Sequence, residues 1–241
     1  MRRRFLKATL VFWGIVGVIA GGIPGSVAEE ARLPPYPDPR RLEDAIVAFE
    51  TQDRIDPPPP GAVLCIGSSS IRYWHDTLAD DLQPLTLIPR GFGGSTLLDV
   101  LFYSSRVVTP YRPRAILLYE GDNDVSGGIS AARVKATFEQ FVEVVRATLP
   151  ETRLYVLSLK PSPARWHRWP VMNETNDRLR QTCADDPLLD YIDIASPMLG
   201  SDGLPLPGIF LEDQLHLNRR GYDIWTREVR KVMVKQETAH E

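Results

Sequence analysis

The chain has 241 residues, with 28 Lys and Arg against 31 Asp and Glu, a net charge of −3, and 43% hydrophobic against 24% charged residues. That composition excludes collagen-like, strongly disordered and disulfide-framework proteins. The acidic balance, with no Lys/Arg block beyond the extreme N-terminus, removes the electrostatic footprint of a nucleic-acid binder, and the length suits one sizeable domain.

Arg2, Arg3, Arg4 and Lys7 precede an uncharged apolar run from Ala8 to Ile23, the pattern of an export signal. Ser26 and Ala28 are the small residues expected just before a cleavage at Glu29, so residues 1–28 are expected to direct export and be removed, with an N-terminal membrane anchor as the alternative. The stretch Arg2 to Lys7 also reads R-R-x-F-L-K, similar to the twin-arginine export signature, beside the general secretory reading. Removal takes the net charge from −3 to −7 over 213 residues, which suits a periplasmic or extracellular protein. In that oxidising setting Cys65 and Cys183 could bridge, but Cys65 lies in the apolar run 62–66 and is expected to be a buried free thiol.

Residues 29–60 read as an N-terminal extension. A proline-containing tether at 29–37 leads to Asp38-Pro39, which starts a helix running to about Gln52, and Pro57 to Pro60 form a linker. From residue 61 to 235 short apolar runs alternate with amphipathic stretches. Strands are predicted at 62–66, 85–88, 114–119, 153–159 and 190–194, and helices near 96–107, 131–148, 170–184 and 219–234, with another after the first strand. The clearest helix carries Val134, Phe138, Phe141, Val142 and Val145 on one stripe. This alternation predicts an α/β fold, a parallel five-stranded sheet covered on both faces by helices, followed by a charged tail at 236–241.

In such a sheet ligands bind at the carboxyl ends of the strands. The residues placed there are Gly67-Ser68-Ser69-Ser70, Gly91-Phe92-Gly93-Gly94-Ser95 and Glu120-Gly121-Asp122-Asn123-Asp124, with Asp213-Gln214-Leu215-His216 just before the last helix. A hydroxyl becomes a nucleophile when a base takes its proton, and the base needs a partner that fixes its tautomer. Ser69 supplies the hydroxyl, His216 suits the base, and Asp213, three residues earlier, suits the partner. The developing oxyanion needs donors, and the backbone N–H groups of Ser69 and Gly94 with the Asn123 carboxamide are candidates.

Over residues 62 to 232 these blocks resemble, in order, those of the SGNH hydrolases, the GDSL-type lipases and esterases. Gly67-Ser68-Ser69 matches the G-D-S block with Ser68 in place of its Asp. Gly94 matches the glycine block, Asn123 the G-x-N-D block, and Asp213-x-x-His216 the D-x-x-H block. The resemblance implies a three-layer α/β/α sandwich of flavodoxin type and a serine ester hydrolase without a cofactor or metal. Ser69 would be its nucleophile, His216 and Asp213 the rest of the catalytic set, and Ser69, Gly94 and Asn123 the oxyanion hole. Acyl transfer at the same site and a noncatalytic carbohydrate- or envelope-binding module are the alternatives.

Rival motifs fail. Asp122-x-Asp124-x-Ser126-Gly127 imitates an EF-hand start but has Arg133 where the loop needs Glu, and Gly91-x-Gly93-x-x-Thr96 lacks the third glycine of a dinucleotide fingerprint. No G-x-S-x-G elbow and no H-E-x-x-H motif is present. After the fourth strand, Arg165, Trp166 and His167 are candidates to line the substrate cleft, and their aromatic character brings carbohydrate esters into view beside other small esters. The competing reading is that Trp166 and Trp169 pin the loop. The expected partner is a small-molecule or carbohydrate ester, with no nucleic acid and no membrane contact beyond the export segment. Oligomeric state is not encoded in any motif.

Overall fold

Aliphatic runs form five strands in the computed structural model, which describes residues 34–240: β1 (Val63–Gly67), β2 (Leu87–Gly91), β3 (Ala115–Tyr119), β4 (Arg153–Leu157) and β5 (Leu189–Ile192). The export signal expected at residues 1–28 lies outside the described residues. All strand pairs are parallel, in the order β2-β1-β3-β4-β5. The chain moves outward from β1 to β2 and then returns to the other side of β1, so a crevice opens where β1 and β3 diverge at their carboxyl ends.

Every residue of β1 and β3 is buried, which is why both read as continuous apolar runs without alternation. Strand β2 begins at Leu87 and runs through Pro89 to Gly91, later than the predicted 85–88. Proline lacks the N–H a central strand needs, but β2 is an edge strand and tolerates it.

The helices are α1 (Glu43–Ile55), α2 (Ser69–Asp81), α3 (Leu97–Val107), the short α4 (Asp122–Ser126), α5 (Ala131–Thr148), α6 (Trp169–Ala184) and α7 (Arg219–Val229). Leu64, Ile66, Ile116 and Leu118 face one side of the sheet and pack with Val100 of α3, Phe138 and Phe141 of α5 and Leu179 of α6. Val63, Cys65, Leu117 and Tyr119 face the other, against Ile71 and Trp74 of α2 and Trp225 of α7. Cys65 and Cys183 are both free and buried, one in each of these layers. No described helix is long and apolar enough to cross a membrane.

The segment before β1 is fastened to the sandwich. Pro34 accepts a hydrogen bond through its carbonyl from Arg133 (2.6 Å), Tyr36 bonds Thr137 (3.2 Å), Arg106 of α3 pairs with Glu43 and Glu50 of α1, and Arg90 of β2 pairs with Asp53. Beyond α7 the chain continues helically to Glu237, whose carboxylate is fully buried. It accepts from Tyr155 Oη at 2.7 Å and pairs with Arg114 and Arg153 at 3.2 and 3.3 Å. Glu237 thus belongs to the folded domain, although composition alone places it in a charged tail, because its partners come from the distant starts of β3 and β4.

Candidate active site

Helix α2 starts immediately after β1, and Gly67 makes the join possible: a Cβ there would lie 2.3 Å from the Tyr119 carbonyl oxygen. The first helical turn then separates the three serines by direction. Ser68 is buried, with its N–H donating to the Tyr119 carbonyl (3.4 Å), and Ser70 is buried, with Oγ accepting from Lys160 Nζ (3.3 Å). Ser69 alone of the three turns to the crevice, where its Oγ lies 2.9 Å from His216 Nε2.

His216 sits on a loop tied to its surroundings by Leu211 N–H to the His216 carbonyl (2.7 Å) and Ala164 N–H to the Gln214 carbonyl (3.1 Å). Gln214 holds a left-handed conformation (φ 56°), a strained choice for a side chain of its length, and it tightens the loop between Asp213 and His216. Asp213 Oδ1 accepts the backbone N–H groups of Leu215 and His216, both at 2.9 Å, and Oδ2 lies 2.5 Å from His216 Nδ1. Burial alone would raise the Asp213 pKa, but the hydrogen bonds from the His216 ring and these two N–H groups outweigh it and lower the value to about 2. The carboxylate therefore stays ionised and directs Nε2 of the ring toward Ser69. Tyr73 packs against the same ring at 4.7 Å between centroids.

The N–H groups of Ser69 and Gly94 have no acceptor among the described residues. Gly94 has φ +80° with open space where a Cβ would stand, so glycine is needed there for the backbone turn, and its carbonyl is held by Arg41 Nη2 at 3.1 Å. Asn123, on α4, donates from Nδ2 to the Ser95 carbonyl (2.8 Å) and accepts at Oδ1 from Arg165 Nη2 (2.9 Å). A carboxamide has two N–H bonds, so the second remains for the cleft.

Below Asn123 the floor is ionic. Asp122 Oδ1 accepts from Arg165 Nη1 (2.6 Å), while Oδ2 accepts from Lys160 Nζ (2.6 Å) and Tyr119 Oη (2.9 Å). Burial would raise Asp122, yet Lys160 and Arg165 lower it to about 2. Glu120 and Asp124 differ: burial, with other carboxylates nearby, pushes Glu120 well above the usual range and Asp124 up to about 7. Among the described residues no group of three His, Cys, Asp or Glu could hold a metal ion.

Ser69, Gly94, Asn123 and His216 share one open cleft of about 340 Å³, lined also by Arg72, Tyr73, Gly93, Arg165 and Leu215. Larger hollows of about 440 and 480 Å³ lie around Arg114 and Thr152 and beside Pro57, and hold none of these groups. Of the three candidate lip residues only Arg165 lines the cleft. Trp166 stacks on Trp169 at 5.8 Å and 12°, and Trp169 packs on the core, which pins the loop and leaves Trp166 and His167 off the cleft wall. Arg72, Lys160 and Asp122 were not among the sequence candidates. Arg72 was open to discovery, being three residues after Ser69 on a helix and hence on the same side.

Residues 62–224 match the model of the GDSL-like lipase/acylhydrolase family. The chain belongs to this family. It is an ester hydrolase of the SGNH type, and its sheet and helices have the SGNH hydrolase fold. No curated protein matches it in sequence. Among solved structures, a Streptococcus pneumonia protein named as a platelet activating factor superposes with a TM-score of 0.70 at 17% identity, covering 80% of this chain and 92% of the other. A Bacteroides fragilis protein assigned as an acylhydrolase gives 0.67 at 21% identity, over 80% and 97%. The acetylxylan esterase of Geobacillus stearothermophilus, solved as a catalytic mutant, gives 0.59 at 13% identity, over 71% and 94%. At these identities the likeness concerns the fold.

Proposed function

We propose that this GDSL-family protein is an exported serine esterase acting on small acyl or carbohydrate O-acyl esters, with Ser69 as nucleophile, His216 as general base and acid, and Asp213 as its orienting partner. The reading rests on one observation, the continuous chain from Asp213 Oδ2 to His216 Nδ1 (2.5 Å) and from His216 Nε2 to Ser69 Oγ (2.9 Å). Ser69 Oγ attacks the acyl carbon as its proton passes to Nε2. The oxyanion is received by Ser69 N–H at the start of α2, by Gly94 N–H and by Asn123 Nδ2, and the helix N-terminus adds favourable potential. Collapse expels the alcohol with the proton from His216. Water then attacks the acyl-serine as His216 takes its proton, and collapse breaks the Ser69 ester bond, releasing the acid while His216 returns the proton to Ser69 Oγ.

Leu215 is the one aliphatic side chain lining the cleft, which supports short acyl groups over long chains. The acetylxylan esterase of the same fold supports testing acetylated sugars. Export is supported by the basic and apolar pattern of residues 1–28. The test is a fluorophosphonate probe combined with chromogenic esters of increasing acyl length and acetylated sugars. Labelling at Ser69 and turnover of short esters, both lost in Ser69→Ala, are expected. Labelling that survives Ser69→Ala and disappears in Ser70→Ala or Ser68→Ala overturns the assignment.

A further inference from the structure

We infer that the natural ester carries an anionic group, a carboxylate, phosphate or sulfate, a few atoms from the scissile carbonyl, and that Arg72 receives it. This rests on the esterase reading above and names the substrate class for the same site.

Arg72 stands one turn after Ser69 on α2 and lines the cleft with its side chain exposed. The point a Gly93 Cβ would occupy is 3.4 Å from Arg72 Nη1 and 3.9 Å from Ser69 Cβ, so the guanidinium lies within a side chain's width of the nucleophile.

The charges around the cleft are otherwise spent. Arg165 is held by Asp122 and Asn123, Lys160 by Asp122, and Arg41 by Asp99. The backbone N–H of Arg72 donates to the Ser68 carbonyl (3.1 Å), but its guanidinium makes no hydrogen bond or ion pair with a described residue. Its contact with the Tyr73 ring, at 5.7 Å from guanidinium carbon to centroid, leaves its N–H donors free. On the acidic side, no Asp or Glu lines the cleft, Asp213 is engaged by His216, and Asp122 is covered by two cations. A chain of net charge −3 thus presents an uncompensated cation beside its nucleophile.

A guanidinium offers a planar fork of donors that fits carboxylate, phosphate and sulfate oxygens. A wholly neutral ester offers this cation only neutral acceptors, which bind it about half as strongly as charged ones. An anionic ester supplies the charged acceptors.

Two matched pairs of probes test this. 4-Nitrophenyl hydrogen fumarate, whose trans geometry keeps its carboxylate off its own ester, is compared with 4-nitrophenyl methyl fumarate. 4-Acetoxybenzoate is compared with its methyl ester. The first pair places the charge on the acyl side and the second on the alcohol side, and each rate is divided by the hydroxide-catalysed rate of the same compound. In at least one pair the wild type should favour the anionic member about tenfold in kcat/KM, the size expected for hydrogen bonds to a charged group. The preference should shrink with added salt, disappear in Arg72→Gln and persist in Arg72→Lys. Turnover of the neutral members without an anionic preference in either pair overturns the proposal and leaves the esterase reading standing. So does a preference that Arg72→Gln does not alter. Absence of turnover for all four compounds, with Ser69 unlabelled by the fluorophosphonate, overturns both.

Discussion

Arg165 donates from Nη2 to the Asn123 Oδ1 at 2.9 Å, and that bond decides which end of the Asn123 amide faces the cleft. With the oxygen anchored by Arg165 and one N–H on the Ser95 carbonyl, the amide is fixed in place and its second N–H has no acceptor among the described residues. The same guanidinium also binds Asp122, so the alignment of the amide is tied to the buried ion pair beneath it.

If Asn123 donates to the oxyanion, Asn123→Ala should lower kcat about 10²–10³-fold, or roughly 3–4 kcal/mol, with KM nearly unchanged. Asn123→Asp should be no better, since a carboxylate repels the oxyanion. Steady-state kinetics on a short chromogenic ester checks both, and a variant within a few-fold of wild type in kcat removes Asn123 from the oxyanion hole.

Arg165 should act through Asn123. In Arg165→Met kcat should fall about tenfold at similar KM, the size of one charge-assisted hydrogen bond. The loss should largely vanish when measured in the Asn123→Ala background, because the group being positioned is gone. Full additivity of the two losses would show that Arg165 acts elsewhere. Thermal unfolding should also move down, since Asp122 loses one of its two cations.

Asp124 carries a stability term with a definite sign. Burial first, with repulsion from Asp99 adding to it, raises its folded pKa to about 7, while the unfolded chain releases the proton near the ordinary carboxylate value of about 3.9. The folded state is therefore the more protonated one between those values, and this group's contribution to stability falls as pH rises from about 4 to about 7. Asp124→Asn keeps an oxygen for the Leu97 N–H and removes the titration. Calorimetry at pH 5 and pH 8 should find the variant gaining on wild type as pH rises. The opposite trend would mean that the folded protein holds Asp124 ionised.

Glu237→Ala leaves Tyr155 without its acceptor and Arg114 and Arg153 without this carboxylate. Breaking a buried pair from one side costs about 3 kcal/mol, which in a domain of this size corresponds to roughly 10 °C in Tm. Differential scanning calorimetry reads this directly, and a Tm within a degree or two of wild type would show that the last helical turn does not contribute to folding.

The parts legible in the sequence are those whose information is local. Asp213 and His216 are three residues apart, and the strand ends are marked by glycines following apolar runs, so the crevice and its main side chains could be named from spacing. The order of Ser68, Ser69 and Ser70 needed helix phase, because a difference of one residue rotates a side chain by about 100°. Asn123 lies in a short helix that the sequence pattern does not announce, since five residues give no periodicity. Lys160 and Arg165 reach Asp122 across 38 and 43 residues, and no local pattern announces a pairing at that distance. Of the two readings of Trp166, lining the cleft or pinning the loop with Trp169, the ring stacking favours the second, a contact that spacing alone does not specify.

The family match begins at residue 62, yet Arg41, upstream of it, holds the Gly94 carbonyl and Asp99, Asp53 pairs with Arg90 of the edge strand, and Glu237 lies beyond residue 224. A crossover placed at the boundaries of the match would move the loops of the cleft into a chimera without the residues that brace them. A segment exchanged between relatives as one piece, by recombination in evolution or by gene fusion in the laboratory, therefore has to include the bracing residues from Arg41 to Glu237 along with the matched region.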